Sequence, residues 1–358
     1  MSTIPARFRA YVAEKSVGPD GAARVDRGVR EFASGELPPG EVEIRVEWSS
    51  VNYKDGLATR VDGKVARISP LIPGIDLAGE VVSSADPGFA VGDRVLVHGY
   101  ELGVARHGGY SEYQRVPAGW VVPLDDGVPS RDDLATRDGL TTRGRLTTRE
   151  AMAIGTAGFT AAMSVVALEA RGLKPGDGPV LVTGASGGVG STAVAILAER
   201  GHEVWAATGK LDAADRLRAL GATGILGRQE VTAPGKPLES ERWAGAVDAV
   251  GAATLPYVLR TLRTGAAVAA SGNAGGPDLA TTVFPFILRG VALLGMDSAQ
   301  MAIDRRRAIW FRLATDLRPR ALGEHVTEVT LDTLDAALDG IVAGSARGRW
   351  IVRIDPTA

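Results

Sequence analysis

The sequence predicts an α/β protein of two domains: a small barrel-like β domain, then a doubly wound parallel sheet with helices on both faces. Three observations predict this. The chain has 358 residues, and at about 150 residues per domain that is room for two. Its first third reads as short strands, whereas residues 151–297 read as strands alternating with helices, the pattern of a parallel sheet covered on both faces. The 46 glycines are close to twice the average share of about 7%, and they sit beside apolar strands, where glycine marks tight turns or close backbone approach to a ligand.

In the first domain, Val42, Ile44, Val46 and Trp48 alternate with Glu43, Arg45 and Glu47, the period of a half-buried strand. Short apolar runs at Gly79–Val82, Arg94–Val97 and Tyr113–Val116, bounded by Pro, Gly and Asp, continue the β texture. In the second domain, Pro179–Thr183 is an apolar strand, Ser191–Arg200 a helix, His202–Ala207 a strand and Asp212–Leu220 a helix. Two more strands are expected at Ala246–Val250 and Ala266–Ser271. The tail carries a helix at Arg305–Leu317 and a strand at Arg349–Ile354 that rejoins the first domain. Residues 131–149, with Leu-Thr-Thr-Arg at Leu140 and again at Leu146, fit neither texture. They read as a solvated insertion or as an arginine-bearing flap that touches an anionic ligand.

Composition excludes several functions. With 40 basic against 42 acidic side chains and a net charge of −2, the chain lacks the positive excess of a nucleic-acid binder. It has no cysteine, which excludes disulfides, thiolate zinc, iron–sulfur clusters and a catalytic thiol. The start, MSTIPARFR, has no secretory character, and the longest apolar candidate, Val283–Met296, is broken by Pro285 and Arg289. The expectation is a soluble, cytoplasmic protein with no membrane and no nucleic-acid partner.

The strongest chemistry is the run Val180 to Ser191, in which a buried strand enters a glycine-rich turn and opens a helix. Glycines allow the backbone to approach a pyrophosphate, and a helix N-terminus faces its negative charge. The candidate contacts are Ser186, Gly187, Gly188, Val189, Gly190 and Ser191. The next strand chooses the dinucleotide. NAD-binding proteins place an acid about 20 residues on, but here the chain reads Thr208-Gly209-Lys210. A small hydroxyl and a cation suit a 2′-phosphate, Arg228 offers a second positive charge, and the missing acid argues for NADPH on its own.

Asn52-Tyr53-Lys54-Asp55 follows a strand. Asn52 is a candidate hydrogen-bond donor, and Asp55 a candidate to orient its neighbours. Tyr53 is either a proton donor or an aromatic clamp on the cofactor, since a phenol near pKa 10 is a slow acid. The four histidines, His98, His107, His202 and His325, form no cluster at ligand spacing, so no metal is expected.

The segments Trp48–Asp55, Pro73–Gly79, Ile154–Ala161, Thr183–Ser191, Trp243–Gly245 and Thr281–Gly290 carry a resemblance. Over nearly its whole length the chain resembles the medium-chain dehydrogenases/reductases, within them the zinc-free branch of acrylyl-CoA reductases and quinone oxidoreductases. Pro73-Gly74-Ile75-Asp76 stands where zinc-dependent relatives carry a ligand histidine. The resemblance implies a GroES-like β-barrel catalytic domain at 1–150 with the insertion 131–149, a Rossmann domain at 151–309, and a return to the catalytic domain at 310–358. It further implies NADPH in a cleft between the domains and a homodimer joined through the sheet edge near Leu293–Ser298. Asn52, Tyr53 and Asp55 form the expected catalytic set. Tyr53, Thr156, Ser271 and Asn273 join the cofactor set. The implied reaction is NADPH-dependent reduction of a short enoyl-CoA, acrylyl-CoA above all. The alternatives are an NADPH quinone reductase and a non-catalytic NADPH-binding redox sensor.

Overall fold

The computed structural model describes residues 4–124, 146–319, 322 and 326–354. The chain divides into two compact units, Met1–Thr156 with Ala299–Thr315 and Gly323–Ala358, and Ala157–Ser298 with Asp316–Leu322.

The first unit is built on a seven-stranded sheet. Strands β3 (Val42–Ser50), β4 (Asp76–Ser84), β5 (Arg94–His98) and β7 (Val121–Pro123) run in that order. β15 (Arg349–Arg353) and β14 (Val326–Thr330) extend the other side of β3, which also pairs with β6 (Tyr113–Val116). The predicted alternation holds in part on β3, where Val42, Ile44 and Val46 are buried and pack with Leu77, Val81, Val95 and Val97 of the neighbouring strands, while Glu43 is also buried, paired with Arg115, and Trp48 is half-buried. A hairpin of β1 (Arg7–Val17) and β2 (Ala23–Ala33) was not expected from the sequence. Its second strand is mostly charged or exposed, so it shows no apolar alternation.

The second unit is a six-stranded, wholly parallel sheet. In chain order its strands are β8 (Val180–Thr183), β9 (Val204–Thr208), β10 (Gly224–Gly227), β11 (Gly245–Asp248), β12 (Ala267–Ala270) and β13 (Ala292–Gly295), and in space they lie β10-β9-β8-β11-β12-β13. That is the doubly wound order, with its topological switch between β8 and β11, where open α/β sheets bind their ligands. Helices α3 (Gly188–Glu199), α4 (Ala214–Ala219) and α5 (Thr254–Thr261) connect the strands. Leu181, Trp243, Val258, Leu259 and Val268 form its core.

Three expectations change. A helix α2 spans Thr148–Ala170 and is uncharged over 151–168. It is long and apolar enough to cross a membrane by length and composition, and it is mostly buried inside the fold. The sequence reading missed it because glycines, threonines and a serine interrupt its apolar runs. Of the expected insertion, residues 131–145 lie outside the described residues. Its last four do not behave as an insertion, since Leu146 is buried and Thr148 and Arg149 open α2. Finally, the chain re-enters the first unit at Ala299, not at residue 310. The reason is α6 (Ile303–Ala314), whose fully buried Arg306 donates to the carbonyl oxygens of His98 and of Ala299 (3.0 Å), while Trp310 Nε1 donates to His98 Nε2 at 2.9 Å. Burial and the Arg306 cation hold the His98 imidazole well below its usual pKa, so it stays neutral and accepts.

Candidate active site

In the second unit the buried strand β8 runs into the turn at residues 184–187 and then into α3. A side chain at Gly190 would place its Cβ 2.4 Å from the Gly184 carbonyl oxygen and 2.7 Å from the Ala185 Cα. Only glycine lets the helix seat this close to the strand end, leaving its first-turn N–H groups without intrahelical partners. Thr208, at the end of β9, donates its hydroxyl to Ser186 Oγ at 3.0 Å and accepts from the Lys210 N–H at 3.0 Å. No carboxylate stands in Thr208-Gly209-Lys210. Across the switch point, Thr183 Oγ1 donates to Asp248 Oδ1 at 2.6 Å and the Gly251 N–H to Oδ2 at 2.8 Å, tying the ends of β8 and β11 together. Burial raises the Asp248 pKa against those hydrogen bonds. The Ser271 N–H donates to the Asp248 carbonyl at 2.9 Å, and Asn273 lies exposed beyond it. This cradle fits a dinucleotide: a glycine-spaced helix N-terminus for a pyrophosphate, and a small, acid-free strand end for a phosphorylated ribose.

In the first unit a polar cluster is buried. Asp76, the first residue of β4, has no exposed surface. Its Oδ1 accepts from the Ser50 N–H at 2.9 Å. Its Oδ2 accepts from Asn52 Nδ2 at 3.0 Å and from the N–H and hydroxyl of Thr156 at 2.9 and 2.7 Å. Ser50 Oγ bridges both Asp76 oxygens at 2.8 Å and accepts from Arg349 Nη2 at 2.7 Å. The Arg349 Nε donates to the Ala153 carbonyl at 3.1 Å and Nη1 to Asn52 Oδ1 at 3.4 Å. Burial lowers the Arg349 pKa, and the charges of Asp76 and Asp55 oppose the shift.

A break in α2 makes room for this cluster. Gly155 adopts φ 54°, and a Cβ there would fall 2.2 Å from Arg349 Nη2 and 2.8 Å from Ser50 Oγ. Asp55 is equally buried, and its oxygens accept from the N–H groups of Asn52 (2.9 Å), Gly74 (3.2 Å) and Ile75 (2.9 Å). Burial, then the Asp76 charge, push its carboxyl up to about 7. Tyr110 donates its hydroxyl to the Ser50 carbonyl at 3.1 Å, and burial raises its phenol pKa well above the usual value.

Residues 38–126 match the alcohol dehydrogenase GroES-like domain. The chain is 46% identical to the acrylyl-CoA reductase AcuI of Ruegeria pomeroyi over 97% of its own length and 99% of the relative's. It is also 46% identical to "Putative quinone oxidoreductase YhfP" of Bacillus subtilis, over 99% and 100%. The chain belongs to the medium-chain dehydrogenases/reductases. It is an oxidoreductase of the branch that holds these two relatives. Its fold matches the yhdH oxidoreductase of Salmonella enterica, solved in complex with NADP, at a TM-score of 0.88 with 43% identity over 97% of this chain and 100% of that one. It matches Bacillus subtilis yhfP with NAD bound at 0.88 and 45%, over 98% and 100%.

Within this superfamily member the expected residues separate into two groups. Ser186, Gly187, Gly188, Val189, Gly190, Ser191, Thr208, Gly209, Lys210, Arg228, Ser271 and Asn273 all lie at the carboxyl ends of the parallel strands, in the turns that follow them or in the first turn of the next helix. Thr156, in the first unit, donates both its N–H and its hydroxyl to Asp76. One expected catalytic residue is corrected and another keeps its expected role. Asp55 is enclosed, and its oxygens accept from the backbone N–H groups of Asn52, Gly74 and Ile75, so it orients its neighbours and fixes the loop at residues 73–75. Asn52 spends its amide on Asp76, Ser50 and Arg349 and is a positioning residue. Tyr53, 41% exposed at the start of α1 (Tyr53–Ala58), remains open to a ligand.

Asp76, Arg349 and Gly155 were missed as site residues. The available signals were weak: an acid directly after Pro73-Gly74-Ile75, an arginine opening the apolar run Trp350-Ile351-Val352, and a glycine inside an uncharged helical stretch.

Proposed function

We propose that the chain reduces the conjugated double bond of a short enoyl-CoA with NADPH, acrylyl-CoA to propionyl-CoA, without zinc. The observation that carries the reading is full-length likeness to an acrylyl-CoA reductase combined with the acid-free end of β9, where Thr208, Lys210 and Arg228 suit a 2′-phosphate. NADPH, when bound, supplies hydride to the β-carbon. The α-carbon takes a proton, and NADP⁺ and the saturated thioester leave. In this reading the first turn of α3 holds the pyrophosphate and Thr208 meets the phosphorylated ribose. Tyr53 contacts cofactor or substrate. Asp76, Ser50, Asn52, Thr156 and Arg349 form the rigid polar floor on which the Asn52–Tyr53 turn rests. The absence of cysteine supports chemistry in which hydrogen-bond donors, not a thiolate-held zinc ion, stabilise the enolate. Losing one such donor costs about 10² to 10³ in rate.

The test is hydride transfer from deuterium-labelled NADPH to acrylyl-CoA. Label on the β-carbon of propionyl-CoA is the expected result. Turnover of small quinones with no labelled thioester would replace it with the quinone reading, to which the equal likeness to YhfP lends support. NADPH binding with no turnover of either would leave a redox sensor. Repeating the assay with Tyr53→Phe sorts its role, since loss of kcat at constant NADPH affinity marks a proton donor and the reverse marks a clamp. The same reading carries a homodimer formed through the free edge of β13, beside the exposed Val283, Phe284, Ile287 and Leu288. Light scattering should then give about twice the chain mass of 37.2 kDa, and a mass of one chain would remove the dimer.

A further inference from the structure

We infer that Gly209 is a specificity-determining residue, because its missing side chain is the space in which the Arg228 guanidinium lies at the end of β9. β9 and β10 pair in parallel with Gly227 opposite Thr208, so the next residue on each strand, Arg228 and Gly209, are neighbours at the carboxyl edge of the sheet. A Cβ on residue 209 would stand 2.5 Å from Nη2, 2.7 Å from Nε and 2.8 Å from Cζ of Arg228. The guanidinium therefore rests on the glycine backbone, one residue beyond Thr208 Oγ1 and its partner Ser186 Oγ.

Among the described residues the Arg228 side chain has no carboxylate partner, and the nearby Glu230 turns its Oε1 to the Gly227 N–H at 2.7 Å. An exposed guanidinium with unspent donors, set beside a hydroxyl pair and with the nearby acid turned to a backbone N–H, suits a dianionic phosphate, which it would grip with two parallel N–H donors. What fixes its position is steric. Any side chain at residue 209 claims the volume and turns the arginine away.

The inference rests on the proposed preference for a 2′-phosphorylated dinucleotide, and it adds the residue that sets that preference's size. Gly209 lies outside the left-handed region and the atoms it would displace are the far end of a flexible side chain, so Gly209→Ala should fold normally.

The test is calorimetric or fluorescence titration of the full chain with NADPH, NADH and adenosine 2′-phosphate. The proteins are the wild type, Gly209→Ala, Arg228→Ala and the double variant. The wild type should bind NADPH more tightly than NADH. Gly209→Ala should cut that ratio at least tenfold and weaken adenosine 2′-phosphate in step. The double variant should lose no more than Arg228→Ala alone, because the glycine acts through the arginine. A Gly209→Ala protein that keeps the wild-type ratio overturns the inference, as does a double variant whose losses add in full. A wild type with equal affinity for both dinucleotides would instead sink the NADPH reading on which it rests.

Discussion

The polar cluster around Asp76 and the dinucleotide edge around Gly187–Ser191 reach order by opposite means. At the edge the work falls to backbone N–H groups, small hydroxyls and absent side chains. Ser186, Gly190, Thr208 and Gly209 all lie within 25 residues of one another, and little charge is buried. In the cluster two carboxylates and a guanidinium are buried together, and two of the three are held by residues far away in sequence: Arg349 by Ser50 and Ala153, Asp76 by Thr156. Buried charge is costly unless every partner is present, so the cluster is all-or-none, whereas the edge tolerates loss of one contact with the fold intact.

The difference predicts how each region breaks. The largest effect belongs to Arg349→Met, which leaves Asp76 and Asp55 without their cation. Removing one partner of such a buried set costs about 3–5 kcal/mol, read as a fall in the urea unfolding midpoint. A loss under about 1 kcal/mol would show that the cluster is not the all-or-none device described.

A smaller and pH-dependent effect belongs to Asp55. Its folded carboxyl titrates at about 7, above the ordinary value near 3.9. Between those pH values the folded chain keeps a proton that the unfolded chain has released, so this group's contribution to stability is present below the unfolded pKa and is lost as pH rises through the window. Asp55→Asn should flatten the decline. Unfolding free energies measured from pH 4 to 8 should show the wild type falling relative to the variant, and a constant gap would contradict the linkage. The smallest effect on stability is that of Gly209→Ala, expected within about 0.5 kcal/mol as for most surface changes, although it moves cofactor preference by an order of magnitude. A large loss of stability there would erase the contrast between the regions.

That contrast also accounts for what could be read in advance. The turn from Val180 to Ser191 is contiguous, and its strand, glycines and helix each leave a local pattern, so these elements were legible in advance. Strands with apolar alternation, such as β3, were equally plain. The hairpin β1–β2 was not, because its second strand is covered by charge pairs such as Arg27 with Asp335 at 3.0 Å and Asp339 at 2.7 Å, which leave no hydrophobic period. Asp55 was expected to orient its neighbours and does so, whereas Asn52 was expected to donate to a ligand, and only its hydrogen-bond partners show that its amide is spent elsewhere.

The amino-acid sequence by itself determined the two-domain α/β class, the dinucleotide turn, the absence of an acid at the end of β9 and the absence of thiolate chemistry. Each follows from composition or from residues close together along the chain, where local sterics and periodicity act directly. Only the tertiary structure decided that Asp76, Ser50, Asn52, Thr156 and Arg349 form one buried network, that Gly155 breaks α2 to admit it, that Arg306 draws the chain back to the first unit from Ala299, and that Gly209 makes room for Arg228. Those facts depend on which distant side chains meet once the strands are paired. Burial and hydrogen-bond satisfaction are properties of that meeting, so no single segment carries them.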